Sequence, residues 1–215
     1  MKNLYLYDNS LRGTIPSELI SLVRSDSNLE AISLERYDSS GTRGTEFHGG
    51  AKDNTFWRFG KGSDRFYGNG GNDDLQSGPG EDTLYGGAGN DYLRGGDEND
   101  TLIGGRGDDI LDGGSGSNML YGNEGADTFL LEVGVGQKTI GDFENGTDYI
   151  QLGHDLYFDK LEFVSMGSST AIQFHSEAFL EHPRTGEDVF VGGELLAILP
   201  GTTPAQFDST DFLVG

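Results

Sequence analysis

The sequence predicts an all-β fold, a right-handed parallel β-roll (β-helix) with a C-terminal β-rich cap and a small N-terminal α/β cap. Three observations predict it. Residues 59–130 divide into units of nine without an insertion. One phase of that period carries an acidic residue, and another carries a large apolar one. Glycine is over-used at 36 residues while proline numbers only 5, and no glycine falls at every third position, so the glycine serves turns and not a collagen helix.

The units read FGKGSDRFY, GNGGNDDLQ, SGPGEDTLY, GGAGNDYLR, GGDENDTLI, GGRGDDILD, GGSGSNMLY and GNEGADTFL. Their sixth residues are Asp64, Asp73, Asp82, Asp91, Asp100, Asp109, Asn118 and Asp127. Their eighth are Phe66, Leu75, Leu84, Leu93, Leu102, Leu111, Leu120 and Phe129. A weaker unit, GGAKDNTFW at 49–57, precedes them with Arg58 as one extra residue. Aspartate is common in turns generally, but turn chemistry does not demand the same residue in seven units of eight.

The last three residues of a unit, as in Thr83-Leu84-Tyr85, alternate polar, apolar, polar. That pattern predicts a very short strand with one side chain turned inward. The first six residues are expected to form a tight turn, with glycine supplying backbone angles that other residues resist. Two units then make one flattened coil, and eighth-position side chains meet in a thin core. Turns starting at Phe59, Ser77, Gly95 and Gly113 stack on one edge, and those starting at Gly68, Gly86, Gly104 and Gly122 on the other.

Stacked strands lie about 4.8 Å apart, so the aspartates form two like-charged columns. Neighbouring charges at that spacing repel by roughly 1 kcal/mol in water and several-fold more in a drier setting. A divalent cation between turns removes the repulsion. Calcium takes six to eight oxygens in a tolerant geometry, whereas magnesium keeps its waters and a strict octahedron. Zinc calls for histidine or cysteine, and the repeats hold neither. The expected ligands are the eight sixth-position residues together with backbone oxygens of the turn glycines Gly60, Gly62, Gly68, Gly70, Gly78, Gly80, Gly86, Gly87, Gly89, Gly95, Gly96, Gly104, Gly105, Gly107, Gly113, Gly114 and Gly116. Eight turns sharing ions along two edges make about six calcium sites. Asn118 brings no charge and Glu98 replaces a turn glycine, so the site between turns Gly95 and Gly113 is expected to be weaker, with the coil intact.

Units such as GGAGNDYLR and GGRGDDILD resemble the hemolysin-type calcium-binding repeat of RTX proteins, a known parallel β-helix repeat. Residues 127–152, with Asp142, Phe143, Gly146 and Asp148, resemble the segment that follows the roll in that family, and the likeness extends over about 49–215. It implies calcium-bound turns and export by type I secretion machinery that reads an uncleaved C-terminal signal. The ending Asp211-Phe212-Leu213-Val214-Gly215 is similar to endings of secreted RTX proteases. The stretch Met1-Lys2-Asn3-Leu4-Tyr5 lacks the apolar run of a cleavable signal, which fits that route. A secreted, extracellular protein is expected, folding where calcium is abundant.

Three segments are expected: a capping segment at 1–48, the roll at 49–130, and a β-rich cap carrying the secretion signal at 131–215. Leu4 to Leu19 resembles one leucine-rich repeat, and Pro16–Arg24 has a helical apolar pattern. Strands are expected at 139–143, 148–152, 161–164, 170–174 and 188–199, the last bending at Gly192-Gly193. An exposed loop is expected at 175–187 and a helical turn near Pro204.

The net charge of −22 argues against nucleic acid and anionic membranes and favours cations. Cysteine is absent, which removes disulfides and thiolate metal sites. No stretch is long and apolar enough to span a membrane as a helix. His48, His154, His175 and His182 fall in no metal-binding or catalytic spacing, so no catalytic constellation or enzyme activity is expected. Three function classes remain: a structural calcium-binding protein at the cell surface or outside the cell, an accessory module of a larger secreted RTX enzyme (protease, lipase or alginate epimerase type), and a carbohydrate-binding module. The last would bind extracellular polysaccharide on Tyr85, Tyr92 and Tyr121.

Overall fold

A computed structural model describes residues 3–6, 31–37, 43–57, 61–153, 156–174, 179–181, 188–190 and 194–214. The helical pattern at Pro16–Arg24, most of the leucine-rich-repeat resemblance, Gly60, His154, His175 and His182 lie outside the described residues. Three strands come first: β1 (Asn3–Leu6), β2 (Ala31–Tyr37) and β3 (Arg43–Gly49). The repeats then give β4 (Thr55–Trp57), β5 (Arg65–Gly70), β6 (Asp74–Pro79), β7 (Thr83–Ala88), β8 (Tyr92–Asp97), β9 (Thr101–Arg106), β10 (Ile110–Gly114), β11 (Asn118–Glu124) and β12 (Thr128–Leu131). Two further strands, β13 (Lys138–Ile140) and β14 (Tyr149–Leu152), continue the winding.

Alternate strands fall on opposite sheets. One sheet carries β3-β5-β7-β9-β11-β13 in sequence, and the other carries β4-β6-β8-β10-β12-β14. The pairing within each is parallel, with Leu84 beside Leu102 and Leu102 beside Leu120 in one sheet. Leu75 lies beside Leu93 and Leu93 beside Leu111 in the other. The result is a β-solenoid, with each coil made of two repeats as the period required.

The strands are longer than the sequence pattern predicts. Six residues, as in Thr83–Ala88, are extended, so the first three positions of the following unit belong to the strand and not to the turn. The pleat explains this: alternation carries on past the eighth position, so the first position also points inward, and Leu84 and Gly86 are both buried. Two residues per strand therefore face the interior. The eighth-position residues from Phe66 to Phe129 are fully buried and fill the middle of the coil.

Aromatic side chains close the core at both ends. Phe47 stacks on Phe56 with ring centroids 4.3 Å apart, and both contact Phe66 edge-on. At the far end Phe143, Phe163, Phe207 and Phe212 form a second cluster, with Phe163 stacked on Phe207 at 5.4 Å. Phe143 comes from the connection between β13 and β14. The other three belong to the C-terminal strands β15 (Leu161–Met166), β16 (Ser169–Phe174), β17 (Phe179–Glu181), β18 (Asp188–Phe190), β19 (Glu194–Pro200) and β20 (Phe212–Val214) or their connections. β19 pairs in parallel with β13, then antiparallel β16 and β15 complete that sheet. β20 adds to β14 in the other sheet. The expected strands near 139, 148, 161 and 170 are present, as is the turn at Pro204–Gln206. The single strand expected at 188–199 is instead two, β18 and β19, in different sheets, and the bend expected at Gly192-Gly193 lies outside the described residues. The expected loop at 175–187 differs: Phe179–Glu181 is a strand paired with β18.

Candidate metal centre

Each coil brings two sixth-position residues to opposite edges. All eight, Asp64 to Asp127 with Asn118, are buried to 3 % exposure or less. They stack as two ladders. On the first edge the backbone N–H of Asp64 donates to Asp82 Oδ1 at 2.7 Å, that of Asp82 to Asp100 Oδ1 at 2.9 Å, and that of Asp100 to Asn118 Oδ1 at 2.7 Å. On the second edge Asp73 donates to Asp91 Oδ1 at 2.7 Å, Asp91 to Asp109 Oδ1 at 2.8 Å, and Asp109 to Asp127 Oδ1 at 2.9 Å. One carboxylate oxygen thus fixes the register between coils.

The other oxygen has a different surrounding. Oδ2 of Asp73, Asp91, Asp100, Asp109 and Asp127 is buried with no hydrogen-bond donor. It lies against the first-position glycine of its own turn. A Cβ on Gly68 would fall 2.1 Å from Asp73 Oδ2 and 2.4 Å from the Gly86 carbonyl oxygen of the next coil. On Gly86 it would fall 2.3 Å from Asp91 Oδ2 and 2.7 Å from the Gly104 oxygen. Gly104 and Gly122 repeat the arrangement with Asp109 and Asp127. At Gly68, Gly86, Gly104 and Gly122 glycine is therefore required by space. Glycine at the second and fourth positions is required by conformation, with φ of 121° at Gly87 and 128° at Gly89. Asn69 and Asn123 hold the same left-handed φ at the second position, as asparagine tolerates. Glu98 holds it at the fourth, at a cost of about 1–2 kcal/mol, while its Oε2 accepts from Gly80 N at 2.8 Å.

Each turn is thus a cluster of acceptors, one carboxylate oxygen among backbone carbonyls. Among the described residues no three acidic or imidazole side chains converge on one point. A cation there would draw on one carboxylate per turn and main-chain oxygens for the rest, a hard-oxygen set suited to calcium. The carboxyls themselves register the missing donor. Burial pushes Asp73 up to about 8, Asp100 up to about 8, Asp109 to about 7 and both Asp91 and Asp127 to about 6. The ladder N–H of the preceding coil pulls each down, and neighbouring carboxylates, such as Asp91 beside Asp73, add to the rise. A proton or a metal ion must compensate such groups. Gly86→Ala should displace the ligand oxygens, cost about 1–3 kcal/mol of stability in calcium, and remove bound calcium. Denaturant titration and calorimetry check both.

The two edges are unequal. The second edge has glycine at the first position of every turn, at Gly68, Gly86, Gly104 and Gly122. On the first edge Ser77 stands there, fully buried, and its hydroxyl donates to the Gly95 oxygen at 2.8 Å. Asn118 keeps the ladder through Oδ1 and so directs Nδ2 toward Ser115 O at 3.1 Å and Gly114 O at 3.3 Å.

Further residues share these turns and ladders. Gly70 is a third-position residue, and the fourth-position glycine of that unit is Gly71, with φ of 97°. Gly125 holds the equivalent place in the last unit, with φ of 142°. The second ladder also extends beyond the eight units. Asn54 donates to Asp73 Oδ1 at 2.6 Å, and Asp127 to Asp148 Oδ1 at 3.0 Å. Asp148 differs from the others because its Oδ2 accepts from Glu144 N at 2.8 Å. An outer ladder of fifth-position residues runs the opposite way, with Asn72 Oδ1 accepting from Asn90 N and Asn90 Oδ1 from Asp108 N. The recurrence of Asn and Asp at that position was the available signal.

The tyrosines expected to share one platform do not. Tyr85 lies on β7 and Tyr121 on β11, but Tyr92 lies on β8 in the opposite sheet. Tyr85 also stacks on Tyr67 at 4.9 Å, which gives one of its faces to a neighbour.

Residues 60–93, 67–102 and 94–129 match the family profile of the RTX calcium-binding nonapeptide repeat. No curated protein matches the chain in sequence. Among solved structures, the extracellular lipase LipA from Serratia marcescens is similar at 15 % identity and a TM-score of 0.41, over 78 % of this chain and 39 % of the lipase. The AlgE6R2 subunit of the Azotobacter vinelandii mannuronan C5-epimerase is similar at 22 % identity and a TM-score of 0.35, over 76 % of this chain and 92 % of the subunit. The AlgE6R3 subunit of the same enzyme follows at 21 % and 0.28, over 76 % and 78 %.

Proposed function

We propose, on the premise that residues 60–129 make this chain a member of the RTX calcium-binding nonapeptide repeat family, that it is a secreted calcium-binding roll with a structural role outside the cell. The observation that carries this is the set of buried, donorless Oδ2 atoms of Asp73, Asp91, Asp100, Asp109 and Asp127. Buried anions of this kind oppose folding unless something positive joins them. Calcium, when bound, supplies that charge, and the turn carbonyls and aspartates hold it. Binding free energy then becomes folding free energy, and a calcium-poor compartment keeps the chain open. Export in an unfolded state through a type I system fits that coupling. The winding is right-handed, as crossovers between parallel strands almost always are.

Calcium calorimetry on the native chain beside Asp91→Ala and Asp109→Ala tests the assignment. Each variant should lose the ions its turn shares and melt at a lower temperature in calcium. An identical stoichiometry in all three would remove these residues from the site.

A further inference from the structure

The stack of first-edge turns does not stop at Asn118. Register pairs Asn118 with Lys138, Met119 with Thr139 and Leu120 with Ile140. Residues 133–138 reproduce the turn of the repeats although the nine-residue frame has been broken by Leu131-Glu132. Gly134 and Gly136 have positive φ, at 79° and 98°, as the second and fourth positions do. A Cβ on Gly136 would fall 2.4 Å from the Gly116 oxygen, the stacking seen between fourth positions throughout the roll. Gly116 N donates to Val135 O at 2.7 Å, just as Gly89 N donates to Arg106 O in the repeats. Ile140 occupies the buried eighth position. Lys138 therefore stands at the sixth position of a further turn, where the repeats place aspartate.

Its side chain is 2 % exposed, unusual for lysine. Nζ donates to Gly114 O at 2.5 Å and to Gly136 O at 3.4 Å, carbonyls of the turn below and of its own turn. Asn118 Nδ2 converges on the same Gly114 oxygen. A lysine cannot accept from the ladder, and Asn118 N donates instead to the Gln137 carbonyl at 3.0 Å. Burial lowers the Lys138 pKa below the ordinary lysine value, while Asp112, Glu132, Asp100 and Glu194 act in the opposite direction and favour its charge.

We propose that Lys138 is a tethered cation that takes the place of a metal ion in the last turn of this edge and closes its ion column. The proposal rests on the calcium reading above and adds the rule that ends the row. Carbonyls of the turn at Gly113 are committed to N–H donors from Asn118 and Lys138, so no ion binds between this turn and the next. The first edge then holds fewer ions than the second, whose ladder runs through Asp109 and Asp127 with no basic residue.

Two variants of the full chain test this, with free calcium as the probe in calorimetry and thermal melting. Lys138→Met should bind the same number of ions as the native chain and lose several degrees of melting temperature at saturating calcium, because the Gly114 and Gly136 carbonyls lose their donor. The double variant N118D/K138D restores carboxylates to both rungs and should bind at least one ion more than the native chain. An unchanged melting temperature in Lys138→Met, or an unchanged ion count in N118D/K138D, overturns the proposal. Should Lys138→Met fail to fold in calcium, folding of the double variant with its extra ion upholds the assignment, and its failure to fold overturns it. A native chain that binds no calcium defeats the underlying reading, an outcome separate from these.

Discussion

Stripping calcium from the chain at neutral pH should unfold residues 61–153, with loss of most β-sheet signal in far-ultraviolet circular dichroism and recovery when calcium is returned. The magnitude follows from the ladders. Asp73, Asp91, Asp109 and Asp127 follow one another on one edge, each almost fully buried and each with an oxygen lacking a donor. The first edge adds Asp64, Asp82 and Asp100 to the same coils. Stability of a domain is ordinarily about 5–15 kcal/mol, and removing the partner of one buried charge alone costs about 3–5 kcal/mol. Several such losses in one cooperative stack exceed what the thin core of eighth-position leucines can offset. Magnesium at the same concentration should restore less structure, since it holds its waters and demands six-fold geometry. A metal-free spectrum equal to the calcium spectrum at neutral pH would count against the coupling.

Acid should partly replace calcium. Asp73 and Asp100 are raised to about 8, Asp109 to about 7, and Asp91 and Asp127 to about 6, all from 3.8. A carboxyl whose pKa is higher in the folded state binds its proton more tightly there. Its contribution to the metal-free fold is fully present below about pH 4 and is lost as pH rises through the folded values of 6 to 8. The metal-free chain should therefore gain β-structure when taken from pH 8.5 to about 5.5, a point above the pI of about 4.2 where the charge still limits aggregation. Calcium shows the opposite trend, because protons compete for the same oxygens, so its apparent affinity should fall over that interval. Circular dichroism in chelator and calcium titrations at matched pH values read the two arms. A metal-free chain that loses structure on acidification across this range contradicts the electrostatic account.

The sixth and eighth positions were legible because a side chain at each phase does one job in every coil. Asp91 and Leu93 are set by stacking on Asp109 and Leu111, so the period exposes them directly. Strand length was not legible. Glycine pairs such as Gly86-Gly87 suggest a turn, yet Gly86 is an inward strand residue whose missing Cβ makes room for Asp91. Only the coordinates separate a glycine required by space from one required by φ. Ser77 was passed over because a small residue there does not disturb the period, although its hydroxyl takes up a turn carbonyl. The turn at 133–138 was hidden for two reasons: Leu131-Glu132 shift the frame, and lysine inverts the expected charge. Gly134, Gly136 and Ile140 at their usual spacing were the residual signal. Glu98 shows the converse, since it departs from the pattern and keeps the left-handed turn all the same.

Anomalous scattering from crystals grown in calcium tests the central claim most directly, because it locates ions independently of affinity. Two rows of peaks are expected, one along each edge between successive turns. The row through Asp73, Asp91, Asp109 and Asp127 should be the longer, and the other should stop before Lys138. Coils stacked as described with no anomalous density between the aspartate turns would contradict it.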